Sequence, residues 1–157
     1  MADDRAELTI PVDVGVPAPV LWATVTDWPG QSDWMLGTRV EITAGDGRSV
    51  GSTLRAVTAG VADTMEITEW TERDGGPRRV VVRHTGDVVR GEGVFAVVDL
   101  GPHRSRFLWT ELLELPLGVL GRACWPLVRP AFRAGVAYSL RRMAEQTEAR
   151  HRTGTPE

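Results

Sequence analysis

Lysine is missing from this 157-residue chain, and all 18 basic residues are arginine. This excludes any Schiff-base or lysine-nucleophile chemistry and reads as codon bias in a GC-rich genome. Cysteine is nearly missing as well. With Cys124 alone, no intramolecular disulfide and no cysteine-based metal site is possible, which suits a reducing compartment. The three histidines, His84, His103 and His151, fall on separate elements and do not make a metal-binding pattern, so no metal and no other cofactor is expected. Positive charge is not in excess: a net charge of −3 and a pI near 5.7 offer no electrostatic footprint for nucleic acid. No uncharged run approaches the ~18 residues of a membrane-spanning helix. Residues Met1 to Glu7 are acidic and polar, so neither a signal peptide nor an integral membrane segment is expected, and the expected location is cytoplasmic. Ser32, Ser105 and Ser139 lack a nucleophile-elbow context, and no Ser-His-Asp arrangement follows from the spacings.

What the chain does have is an ordinary globular composition, 42% apolar and 25% charged, in a length that suits one hydrophobic core. One domain over residues 1–157 is expected, with its ordered part from about 7 to 150. Glu7 to Gly15 alternates as a strand, with Leu8, Ile10, Val12 and Val14 on one face. Pro17 and Pro19 end it. A short helix over Val20 to Asp27 follows, with either Val20, Ala23 and Thr24 or Leu21 and Val25 inward, and a second helical turn over Gln31 to Met35.

After Gly37 come six more strand-like runs: Thr38 to Thr43, Gly51 to Thr58, Asp63 to Thr71, Arg79 to Thr85, Val88 to Leu100 and Arg104 to Leu115. The links between them, such as Gly45-Asp46-Gly47 and Gly86-Asp87, are those of tight hairpins. Seven strands without crossover helices imply an antiparallel meander. In the last segment Phe132, Val136, Leu140, Met143 and Thr147 recur at helical spacing, which predicts an amphipathic helix. Pro126 and Pro130 are expected to give it a kinked or staged start, and Arg150 to Glu157 to fray.

Several stretches carry a closer likeness: Pro17-Ala18-Pro19-Val20-Leu21-Trp22 leading to Asp27-Trp28, Met65 to Trp70, and Phe107 to Glu111 ahead of Leu115-Pro116-Leu117-Gly118. With the element order, these resemble the START/Bet v 1-like (SRPBCC) superfamily, in particular the bacterial polyketide cyclase/dehydrase and lipid-transport group. The resemblance implies an α+β helix-grip fold, a seven-stranded curved antiparallel sheet around a long C-terminal helix, with two short helices after the first strand. It also implies a cavity between sheet and helix for a lipid, quinone or polyketide-like molecule. No catalytic signature is among the matching motifs.

The candidate residues follow from strand alternation. Phe95, Trp109, Val136 and Leu140 are expected to line the cavity or the core beside it. His84 shares a face with Val80 and Val82, since Arg79 and Arg83 must take the solvent side; Glu111 shares one with Phe107, Trp109 and Leu113. An inward carboxylate is costly unless paired or protonated, so His84 and Glu111 are the candidate catalytic acid/base pair. Asp63, Glu66 and Glu69 read as solvent-side charges. Gly45 to Gly51 resembles a phosphate loop only superficially, since no lysine follows Gly51 and no helix opens there. The six tryptophans read as core, with Trp109 the best exception, and Leu115 to Val128 reads as packed core before a gate or membrane-docking edge.

Three functions compete at this level. One is a binding or carrier protein for a small hydrophobic ligand, and another a polyketide aromatase/cyclase-type enzyme using His84 and Glu111. The third is a protein-interaction module acting as a homodimer or with a small protein partner.

Overall fold

Apolar residues at every second position produce the strands, and a computed structural model, which describes residues 5–115 and 118–154, assembles them into one sheet. Seven antiparallel strands are β1 (Arg5–Val14), β2 (Thr38–Ala44), β3 (Thr53–Thr58), β4 (Val61–Glu72), β5 (Arg78–His84), β6 (Gly91–Asp99) and β7 (Ser105–Glu114). Between β1 and β2 lie a helix α1 (Ala18–Val25) and a 3-10 turn (Pro29–Asp33); a 36-residue helix α2 (Val119–Gly154) follows β7. The order β1-β7-β6-β5-β4-β3-β2 is a meander closed by β1 pairing with β7. The expected helix-grip architecture is therefore present. The pieces predicted at Met1 to Asp4 and over the last three residues of the tail lie outside the described residues, as do Pro116 and Leu117.

One face of the sheet is apolar because alternate residues of each strand share it. Leu8 and Ile10, Leu54, Ile67, Val80 and Val82, Phe95 and Val97, and Phe107 and Trp109 join one core with Leu140 and Met143 of α2. On α1 the inward residues are Ala18, Leu21, Trp22 and Val25, which decides between the two registers the sequence allows. Burying each of these large side chains contributes about 1.5–3 kcal/mol. Rings knit the middle of the sheet: Phe95 lies 4.8 Å from Trp109, 5.2 Å from Phe107 and 5.8 Å from Trp28, centroid to centroid.

The turn from Gly45 to Gly51 is a structural hairpin held by Asp46 and Ser52. Gly47 receives the Trp28 indole N–H on its carbonyl at 2.7 Å. With φ +72, and with Ile42 2.7 Å from where a Cβ would stand, only glycine fits there. Two bulges, at Thr43 and Thr68, bend the sheet.

Helix α2 departs from two expectations. It is already helical at Val119 and continues through Pro126 and Pro130, so that of the kinked or staged start expected there the staged form is absent. It also continues past Arg150 to Gly154 instead of fraying there. Its second half is pinned: Leu36 N–H donates to Ser139 Oγ at 3.0 Å, Gly15 N–H to Glu148 Oε1 at 2.8 Å, and Gln146 Nε2 to the Asp33 carbonyl at 3.1 Å. Its first half is largely exposed: Val119, Leu120, Leu127 and Val128 all face solvent. The packing expected of Leu115 to Val128 is thus overturned at Val119, Leu120, Leu127 and Val128, while Leu115 and Trp125 are half-buried and Trp125 lies 6.3 Å from Phe132, centroid to centroid.

Candidate functional site

Between sheet and helix lies a cavity of about 490 Å³. Its floor is the aromatic group Trp28, Phe95 and Trp109; Met65, Val82 and Leu113 come from the sheet, and Phe132, Val136 and Ser139 from α2. The volume suits a small organic ligand. Of the four residues expected in the cavity wall or the core beside it, Phe95, Trp109 and Val136 line the cavity. Leu140 does not. It is 1% exposed and packs in the core, because one turn beyond Val136 its position rotates away from the cavity.

Three titratable side chains meet in this otherwise apolar wall. His84 Nδ1–H donates to Asp63 Oδ2 at 2.7 Å, and Nε2–H faces Glu111 Oε2 at 3.2 Å. The His84 side chain is only 6% exposed. His84 ends β5 and Glu111 sits on β7, two strands away, so an intervening side chain on β6 would part them. None does, because β6 presents glycine at both facing positions: Gly91 pairs with His84 and Gly93 with Glu111. A Cβ at Gly93 would stand 3.1 Å from Val82 and 3.4 Å from Glu111 Oε1. The bare backbone at Gly93 is therefore what lets the imidazole reach the carboxylate, whereas Gly91 is required by the close approach of the Leu112 carbonyl.

Asp63 corrects the sequence reading, in which it was a solvent-side charge. It lines the cavity because it shares parity with Met65 and Ile67, whereas Glu66 has the opposite parity and pairs with Arg83 outside. The signal was available in that alternation. The bulge at Thr68 blurs the period by resetting Trp70 to the inner face.

Burial by itself would push the His84 imidazole down, but hydrogen bonds and charge from Asp63 and Glu111 overcome it and raise the pKa to about 9. Burial lifts Glu111 above the usual carboxylate range, with His84 opposing and the Asp63 charge assisting. The cluster thus holds its protons tightly at neutral pH and is able to donate one. Two further polar atoms on this wall, Asp63 Oδ1 and the Trp109 indole N–H, are buried without a hydrogen-bond partner among the described residues. They are an acceptor and a donor left for something in the cavity. Among the described residues no group of three or more metal-ligating side chains, this cluster included, is arranged to hold a metal ion.

A curved meander gripping one helix, with an apolar cavity between them, defines a START-like ligand-binding domain. The chain belongs to the family described as polyketide cyclase / dehydrase and lipid transport, whose model matches residues 5–148. No curated protein matches it in sequence. Among solved structures it is similar to the Zhui aromatase/cyclase from Streptomyces sp. R1128, at 19% identity and a TM-score of 0.74, covering 97% of this chain and 99% of that one. It is also similar to a START superfamily protein from Mycobacterium smegmatis, at 20% identity and a TM-score of 0.63, with 95% and 99% covered. A third similar structure, TTHA0849 from Thermus thermophilus, has 19% identity and a TM-score of 0.73, with 92% and 98% covered. At these identities the likeness is one of fold.

Proposed function

We propose that this protein binds a small, mostly hydrophobic molecule bearing an oxygen function, of the lipid, quinone or polyketide-like kind. Its apolar body lies against Phe95, Trp109 and Val136, and its oxygen against the Asp63-His84-Glu111 cluster. The observation that carries this reading is the cavity of about 490 Å³, whose apolar walls hold a buried donor and a buried acceptor without partners among the described residues. A ligand oxygen accepting from the Trp109 N–H, or a hydroxyl donating to Asp63 Oδ1, would supply what burial has removed. Hydrophobic contact provides affinity and the cluster provides orientation. Leu140 backs the wall without touching the ligand.

The test is titration with fatty acids, quinones and aromatic polyketides, read by tryptophan emission and melting temperature. Binding should shift Trp109 emission and raise the melting temperature, since a ligand that binds only the native state stabilises it. No response to any class would remove the carrier reading.

The cluster supports a second reading, acid/base catalysis of the cyclase/dehydrase type. A protonated His84 held by two carboxylates can donate to a carbonyl oxygen as it becomes an enol, while an ionised Glu111 accepts a proton from the adjacent carbon. Glu111→Gln keeps the shape and removes the base. Turnover lost with affinity retained would mark an enzyme; both retained would mark a carrier.

A further inference from the structure

The first half of α2 has a second apolar face that the cavity does not use. At about 100° per residue, Leu120, Leu127 and Tyr138 fall on one stripe, on the far side of the helix from Trp125, Phe132, Val136 and Met143. The outer stripe is open to solvent, with Leu120 60%, Leu127 80% and Tyr138 50% exposed, and Val119 and Val128 widen it on either side. Charge is distributed just as unevenly. Residues 115–144 contain five arginines and no acid, while the rest of the chain carries 13 arginines against 21 acids. An acidic protein thus concentrates positive charge around its most exposed apolar surface.

We infer that this outer face of α2, from Val119 to Arg142, is a docking surface for an anionic phospholipid bilayer. Leu120, Leu127, Val119 and Val128 would enter the acyl boundary, with Tyr138 at the interface level. Arg141 and Arg142, which flank this stripe, would meet the phosphates, each arginine near an anionic surface strengthening attachment about fivefold. Charge selects this occupant over a second copy of the chain, because two such helices laid face to face bring arginine against arginine. The helix lies on the surface rather than across it: among the described residues no helix is long and apolar enough to cross a membrane. Because Phe132 and Val136 border the cavity from the same helix, docking would hold the cavity beside the bilayer. The inference concerns a surface distinct from the cavity and stands whichever ligand the cavity takes.

Vesicle flotation tests it, with the full-length protein and vesicles of phosphatidylcholine alone or with about 30% phosphatidylglycerol. The expected result is attachment to the anionic vesicles, at least about tenfold weaker attachment to neutral ones, and release at about 0.5 M salt. The doubly substituted Leu120→Glu/Leu127→Glu protein should bind at least about tenfold more weakly with an unchanged circular dichroism spectrum, since both sites are exposed. If that variant unfolds, Arg141→Glu/Arg142→Glu reports on the same surface and should weaken binding by a similar factor. Failure to attach to anionic vesicles would overturn the proposal. So would equal attachment to neutral vesicles, or concentration-dependent dimerisation in solution that Leu127→Glu abolishes.

Discussion

The two halves of α2 put one continuous helix to opposite uses. From Val136 to Thr147 the inward residues are buried and side chains tie the helix to β1 and the 3-10 turn. From Val119 to Arg133 the helix holds two prolines and exposes Leu120 and Leu127, and Arg133 reaches the Thr9 carbonyl only at 3.4 Å. Continuity of the backbone thus says little about how firmly a helix is held. The burial of one stripe decides it.

The sharpest way to break the comparison is to remove apolar atoms from each half. Leu140→Ala or Met143→Ala should cost about 2–5 kcal/mol in denaturant unfolding, by loss of transfer energy and by the cavity left behind. Leu127→Ala should change stability by less than about 0.5 kcal/mol. Comparable losses at both sites would mean that the outer stripe is covered.

Next in size is the separation of the polar cluster from the helix that borders it. Gly93→Val should insert a side chain between His84 and Glu111 and lower the His84 pKa from about 9, as read by NMR titration of the imidazole. The Leu127→Ala protein should leave that titration where it is, because the sheet alone holds the cluster.

The cluster also sets a pH dependence. The folded pKa of His84 is raised above its ordinary 6.5, so the native state binds the proton more tightly than the unfolded chain. Its contribution is complete below about 6.5 and is lost as pH rises through about 9. Glu111, also raised, acts in the same direction from its ordinary range upward. The melting temperature should therefore fall between pH 6.5 and 9, and Asp63→Asn should flatten that fall. A flat profile in the unsubstituted protein would mean that His84 is not held as a cation.

The smallest effect belongs to the prolines. Pro130→Ala restores a backbone donor inside the helix and should increase amide-exchange protection in the first half of α2, leaving the second half unchanged. Equal protection in both halves beforehand would contradict the difference in anchoring.

Much of this was legible in the order of residues. Period-two runs and glycine-rich links specify a meander, and the Phe132 to Thr147 spacing specifies a helix with one buried stripe. Alternation within β5 and β7 also gives His84 and Glu111 the same face as Val82 and Trp109. Alternation is a local property: each strand's inner face follows from its own residues, whatever its neighbours are. The meeting of Asp63, His84 and Glu111 is not local. It depends on inter-strand register, which aligns Met65 with His84, His84 with Gly91 and Gly93 with Glu111, and on Gly93, which leaves β6 bare beside the carboxylate. Likewise the apolar run after Leu115 looks the same in sequence whether it is covered or bare. Only the tertiary packing, which buries the stripe of Val136, Leu140 and Met143, decided that Leu120 and Leu127 would face outward.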